Sequence, residues 1–215
     1  MHFFIYKYYK LKMRKFLFVL IIYFLSNFFV NAQHFNGGII AGISASQVSG
    51  DNLSGFDKAG VFGGVFANLQ ISEKSVFQIE IDYIEKGSKQ NPKEKNGFYS
   101  YILKLKYVEV PLLYKYIYSD KLSFELGPYC AILIKDAFEE QNEVIVDDRA
   151  FNKQDIGITV GIAYSITPNL KINMRNSNTF FVFPVREHLS GAKKWYNQGQ
   201  YNTVLTFSIQ YQFKN

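Results

Sequence analysis

An eight-stranded antiparallel up-and-down transmembrane β-barrel, all-β and preceded by a cleavable signal peptide, is the fold this sequence predicts. Three observations predict it. Apolar residues recur with a period of two in eight separate segments, and almost nothing between them carries a helical period. The connectors between those segments alternate between short and long. The apolar phases end in aromatics, and the chain is 18 % aromatic, which is high for a soluble domain and calls for a second use of those rings.

The N-terminal stretch fixes the compartment. MHFFIYKYYKLKMRK carries Lys7, Lys10, Lys12, Arg14 and Lys15 with no acidic residue, and an apolar run from Phe16 to Val30 follows, broken only by Ser26 and Asn27. Val30 and Ala32 stand like the small residues before a signal-peptidase cut, so residues 1–32 read as a secretory signal. The apolar run is shorter than the roughly 20 residues a spanning helix needs, which argues against a retained anchor. The long basic region points to Met13 as the true start. The mature domain is then 33–215, one domain by length.

Removing that segment changes the charge. The chain has 24 Lys and Arg against 18 Asp and Glu, and five of the basic residues lie before Ala32. The mature part is left with a net charge of +1, so the high pI argues for no nucleic-acid partner. Cys130 is the one cysteine, which excludes an intramolecular disulfide framework and suits a small packed residue.

The segments follow in order. Ile39, Ala41 and Ile43 alternate with Gly38, Gly42, Ser44 and Ser46. AGVFGGVFANLQI sets Val61, Val65, Leu69 and Ile71 against Phe62 and Phe66. VFQIEIDYIEK sets Phe77, Ile79, Ile81 and Tyr83 against Gln78, Glu80 and Asp82. YVEVPLLYKY sets Val108, Val110, Leu112, Tyr114 and Tyr116 against Glu109, Pro111 and Lys115. LSFELGPY sets Leu122, Phe124 and Leu126 against Ser123, Glu125 and Gly127. DIGITVGIAYSI sets Ile156, Ile158, Val160, Ile162 and Tyr164 against Asp155, Gly157, Thr159, Gly161 and Ser165. LKINMRN sets Leu170, Ile172 and Met174 against Lys171, Asn173 and Arg175. YNTVLTFSIQYQF carries its apolar phase from Tyr201 to Phe213.

With no helices to make crossovers, the strands must run antiparallel, and closure into a barrel removes the exposed edges. SEKS, SDK and TPN make short turns, whereas SGDNLSGFDK, GSKQNPKEKNGF, KDAFEEQNEVIVDDRAFNK and FPVREHLSGAKKWYNQG are long. Strict alternation puts all short turns at one end, the asymmetry of outer-membrane barrels with periplasmic turns and extracellular loops. A secreted, lipocalin-like soluble barrel is the competing reading, with its apolar face inward. The aromatics near strand ends, the Gly, Ser and Thr on the opposite phase, and the terminal Phe213 favour the inside-out arrangement in contact with outer-membrane lipid. The last strand resembles the signal by which barrel-insertion machinery recognises its clients, although Lys214 and Asn215 follow the aromatic.

GIIAGISASQVSGD, GVFGGVFANLQISEKSVFQIEIDYIEKGSK, YVEVPLLYKY, FELGPY, DIGITVGIAYSI and the YQF ending resemble the PorT-like family of outer-membrane β-barrel proteins. Y-x-E-x-P-L-L-x-K and E-x-G-P-Y carry most of the likeness, which extends over essentially the whole mature chain. The resemblance implies an eight-stranded barrel in a Gram-negative outer membrane. One member type is associated with protein secretion, so a transport or secretion component with a functional lumen is an alternative function.

On the inside-out arrangement Glu80, Asp82, Glu109, Lys115, Glu125, Asp155, Lys171 and Arg175 all point into the lumen, because lysine or arginine on the lipid face costs roughly 2–4 kcal/mol near the midplane. Side chains just fill a barrel of eight strands, so these charges are expected to form a packed polar plug rather than a solute path. No enzyme is expected: no G-x-S-x-G occurs, and His34 and His188 lack a neighbouring ligand at metal spacing. Neither a metal nor a cofactor is expected. The acidic loop from Phe138 to Arg149 lacks the ligand order of an EF-hand. Lys193, Lys194, Trp195 and Tyr196 form the candidate loop patch for an unknown extracellular ligand or protein. The function expected is therefore structural or binding. Upstream of Tyr107, Leu103 and Leu105 lie on the inward phase, which predicts a β-bulge or strand exit near Tyr107, also accommodating Pro111.

Overall fold

The computed structural model describes residues 35–51, 53, 55–140, 143–145, 150–194 and 197–213, with side chains other than those of 138–140, 143–145, 188–190, 194 and 197. The expected signal, Met13, His34 and the end after Phe213 lie outside the described residues, as do Trp195 and Tyr196. The strands are β1 (Phe35–Ser49), β2 (Lys58–Ser72), β3 (Ser75–Gln90), β4 (Tyr101–Ile117), β5 (Leu122–Glu140), β6 (Glu143–Ile145), β7 (Gln154–Ser165), β8 (Leu170–Thr179), β9 (Arg186–Lys194) and β10 (Asn197–Gln212). Eight of them close a ring in the order β1-β2-β3-β4-β5-β7-β8-β10, with β10 returning to β1, and every pairing is antiparallel. The two short strands lie off the ring, β6 on β5 and β9 on β10. Three segments read as long loops in the sequence are thus partly strand, since β3 also runs on to Gln90, and β4 begins at Tyr101 rather than Tyr107.

Period two decides which residues face in. Ile43, Val61, Ile81, Leu112, Ile132 and Phe207 all stand on the exterior, Ile43 62 % and Phe207 47 % exposed. Their neighbours Ser44, Phe62, Asp82 and Ser208 are buried inside. Cys130 belongs to the outer phase and is exposed, so it is not a packed core residue. At the short-turn end the exterior carries Phe77, Tyr114, Tyr116, Tyr118, Phe124 and Tyr211, with Phe77–Tyr114, Tyr118–Phe124 and Tyr211–Phe213 in edge-to-face contact at 5.5, 6.1 and 6.1 Å.

Local chemistry explains the short turns. In the β4–β5 turn Leu122 N donates to Ser119 Oγ at 3.2 Å, and in the β7–β8 turn Leu170 N donates to Thr167 Oγ1 at 3.1 Å. A hydroxyl at the first turn position thus shares the amide that also donates to the same residue's carbonyl at 3.3 Å in both turns. Pro168 supplies the fixed φ that the second turn uses.

The expected phase slip at Tyr107 does not occur. Leu103, Leu105, Tyr107, Glu109, Pro111, Leu113 and Lys115 are all buried, so β4 keeps one inward phase along its length. What changes is its chemistry, from apolar near the long loops to charged lower down. A register shift does fall between Lys106 and Tyr107, but the extra residue is Ile134 on the partner strand, since Lys106 pairs with Lys135 and Tyr107 with Leu133. Pro111 needs no bulge: β3 and β4 keep the same register on both sides of it, from Ile79↔Leu112 to Asp82↔Glu109.

The lumen is not polar throughout. Val48, Ile84, Leu103, Leu105, Ala131, Phe151, Val185 and Val204 fill the long-loop end together with Tyr107 and Tyr129, and the apolar cluster continues along the inward phases of β1 and β2 through Ile40, Phe62 and Phe66. Phe151 and Val185 come from connectors, so the expected loops fold inward to help fill the mouth. Gly157 makes room for Tyr129, since a Cβ there would sit 2.5 Å from its ring.

Candidate functional site: the charged interior

The inward phases of β3, β4, β5, β7, β8 and β10 bring two charged clusters together inside the ring. In the one nearer the short turns, Arg175 donates Nη1 and Nη2 to Glu80 at 2.7 and 2.8 Å and Nε to Glu125 at 2.7 Å. Lys115 Nζ lies 2.7 Å from Glu125 Oε1 and 3.2 Å from Gln210 Oε1, which its hydrogen bond reaches. Asn173 donates to Glu125 at 3.2 Å, and Gln78 donates to Glu80. A planar guanidinium forked onto two carboxylates is the arrangement that best offsets the desolvation of buried charge.

Nearer the long loops Lys86 is wholly buried, its Nζ 2.6 Å from Glu109 Oε2 and 3.0 Å from Asp155 Oδ2. The ammonium also lies over the Tyr129 ring at 4.4 Å and near the Tyr107 ring at 5.1 Å. Asp155 is saturated: Thr179 and Tyr129 donate to Oδ1 at 2.7 and 3.2 Å, and Asn202 donates to Oδ2 at 2.9 Å.

Seven of the eight charges expected in the lumen are buried there, Glu80, Asp82, Glu109, Lys115, Glu125, Asp155 and Arg175, while Lys171 is half-buried at the short-turn mouth. The structure divides them between two clusters instead of one. Sequence reasoning missed Lys86, although its position, two and four residues beyond Ile84 and Asp82 on the same phase, carried the signal. It also missed the uncharged partners Tyr107, Tyr129, Thr179 and Asn202. Asp82 differs from the rest, since neither of its buried oxygens has a hydrogen-bond partner. It lies opposite Glu109 in the ladder and one inward position from Glu80.

Glu80, Glu109, Lys115, Glu125, Asp155 and Arg175 are buried, each with at least one oppositely charged partner. At the short-turn mouth Phe66, Asn68, Gln78, Lys171, Gln210 and Gln212 border a cavity of about 10 Å³, room for one water at most. Among the described residues no group of three His, Cys, Asp or Glu is placed to hold a metal ion. The residues of Y-x-E-x-P-L-L-x-K and E-x-G-P-Y that repeat at period two, Tyr107, Glu109, Pro111 and Lys115 with Glu125, Gly127 and Tyr129, are the inward phases of neighbouring strands.

At the long-loop rim Ser44 Oγ donates across Gly60 to Glu85 O at 2.6 Å, and Ser46 Oγ donates to Gly87 O at 3.0 Å. Asp51 accepts from Leu53 N at 2.9 Å and from Ser88 Oγ. Burial pushes the Asp51 carboxyl above its ordinary range, against the opposing pull of those hydrogen bonds. In the loop patch Lys193 is exposed, and the side chains of Lys194, Trp195 and Tyr196 lie outside the described residues, as does that of His188.

Two solved structures align with most of this chain, and the first shares its fold. Neisserial surface protein A, from Neisseria, aligns with 82 % of this chain and 97 % of its own, at 14 % identity and a TM-score of 0.53. Ail, the attachment invasion locus protein of Yersinia pestis, aligns with 83 % of this chain and 98 % of its own, at 11 % identity and a TM-score of 0.48. A search of the curated proteins finds no match. The sequence itself matches the outer membrane protein β-barrel domain over residues 8–181, most of its length, and the chain belongs to that family as an integral β-barrel of the outer membrane.

Proposed function

We propose that this protein is a non-enzymatic outer-membrane barrel with a sealed lumen, serving a structural or binding role through its long-loop end. One observation carries the reading. Glu80 on β3 and Arg175 on β8 belong to strands four places apart in a ring of eight, so their ion pair spans the lumen. Lys115 and Gln210 bridge β4 and β10 in the same way, and the apolar cluster above them occupies the long-loop mouth. A solute path would have to break these contacts.

The reading includes export by a cleaved segment at 1–32, short turns in the periplasm, long loops outside the cell and insertion guided by the terminal strand. The PorT-like likeness fits it as a scaffold signature, because its period-two residues line the filled interior. Planar-bilayer recording of the purified barrel tests the reading. No stable conductance is expected; channels abolished by Glu109→Gln or Lys115→Gln overturn it in favour of a conducting lumen.

A further inference from the structure

The ring is narrow on one side. Cα atoms of β3 and β10 come within 8 Å of each other, although β1 and β2 stand between them in the strand order. Glycine allows this approach. A Cβ on Gly64 of β2 would lie 2.2 Å from Asp82 Oδ1, and one on Gly42 of β1 would lie 2.7 Å from Ser208 Cβ. Side chains of β3 and β10 thus lie over bare backbone.

One contact fixes the levels of the two strands. Gln210 donates to Glu80 at 3.4 Å, which sets β10 opposite β3 there. Three antiparallel pairings separate the strands, so they run antiparallel to each other. One inward step towards the long loops, Asp82 therefore stands opposite Ser208, with Thr206 the next inward residue on β10. Asp82, Ser208 and Thr206 are 1, 5 and 3 % exposed, and none of their four side-chain oxygens has a hydrogen-bond partner.

Charge adds to the deficit. Arg175 commits all three nitrogens to Glu80 and Glu125, Lys86 binds Glu109 and Asp155, and Lys115 binds Glu125 and Gln210. The cations of the two clusters thus reach every carboxylate of the interior except Asp82.

We propose that Asp82, Ser208 and Thr206 bind one monovalent cation between β3 and β10. A buried charge is tolerated when it is paired or holds a metal, and a hard cation takes oxygen ligands. Such an ion satisfies the carboxylate charge and the hydroxyl lone pairs together, whereas a water leaves the charge unmatched. One carboxylate supplies one charge, which suits a monovalent ion. A divalent ion calls for more acids, and among the described residues no three are placed together for it. The proposal depends neither on a sealed lumen nor on what the loops bind.

The test refolds the barrel from urea into zwitterionic detergent, in sodium chloride or in choline chloride at equal ionic strength. Circular dichroism reads the unfolding temperature. Sodium is expected to raise that of the wild type by about 5 °C, because a ligand held only by the folded state stabilises it. Asp82→Asn is expected to unfold at one temperature in both salts, above the wild type in choline, so that sodium closes the gap. Ser208→Ala and Thr206→Val keep the carboxylate and are each expected to lose most of the sodium response. A wild type that unfolds alike in both salts overturns the proposal and leaves a proton or a water at Asp82. An undiminished response in Asp82→Asn overturns it too, since sodium then acts elsewhere. So does a full response in the double variant Ser208→Ala with Thr206→Val.

Discussion

Arg175 and Glu80 meet across the lumen in a two-pronged ion pair, 2.7 and 2.8 Å, although 95 residues separate them and their strands stand on opposite sides of the ring. Both side chains are almost fully buried, so the pair offsets the desolvation of each charge, with Glu125 sharing the guanidinium at 2.7 Å. Removing one member leaves the other desolvated. Arg175→Met is therefore expected to destabilise the folded barrel by about 3–5 kcal/mol. The loss reads as a lower temperature for conversion of the compact gel form to the extended one. The double change Glu80→Leu with Arg175→Met is expected to recover part of it, whereas additive losses would show that the two residues act separately.

Asp82 gives the opposite expectation. It is buried with neither oxygen hydrogen-bonded, beside Glu80 along β3 and opposite Glu109 on β4. Asn keeps its shape and removes a carboxyl from between two others. Asp82→Asn is expected to hold or raise the unfolding temperature. Glu109→Gln, which takes a partner from the buried Lys86, is expected to lower it by about 3–5 kcal/mol in stability. A drop for Asp82→Asn as large as that for Glu109→Gln would mean that Asp82 has a partner in the membrane.

These two residues also show how far the sequence was legible. Period two placed Glu80, Asp82 and Glu109 on the inward phase, because the apolar alternative on each strand was unbroken. Nothing in the strands said which charge would meet which. Partner choice depends on the ring order and on strand stagger, which bring β3 within reach of β8, and no local pattern encodes those. The apolar mouth was misjudged for a related reason: Leu103 and Leu105 looked like a slip in alternation when they were inward residues in a part of the lumen with different filling. Phe151 and Val185, from connectors, carried no period at all.

Asp51 sets a pH dependence at the long-loop rim. Its carboxyl is raised in the folded state above the 3.8 of a free side chain, chiefly by burial. The folded barrel then binds this proton more tightly than the unfolded chain does. The resulting stability is fully present below pH 3.8 and is lost as pH rises through the folded value. Asp51→Asn removes the titration, so the difference in unfolding temperature between variant and wild type is expected to move in the variant's favour as pH rises from below 3.8 towards neutrality. A difference that is flat across that range, or moves the other way, would mean that burial does not control this carboxyl.

The inside-out phase makes the last prediction. Val65 stands on the exterior midway along β2, 54 % exposed, between Ile39 on β1 and Ile81 on β3. On a soluble barrel an exposed Val→Lys change would cost little, because the ammonium would gain water. Against the hydrocarbon it has no water to gain. Val65→Lys is therefore expected to destabilise the barrel by roughly 2–4 kcal/mol in lipid, the depth-dependent cost of a cation near the bilayer midplane. The same change at Gln47, outward but at the long-loop rim, is expected to cost no more than about 1 kcal/mol. Unfolding of both variants in lipid vesicles by urea measures the contrast, and equal costs at the two positions would mean that Val65 does not lie against hydrocarbon.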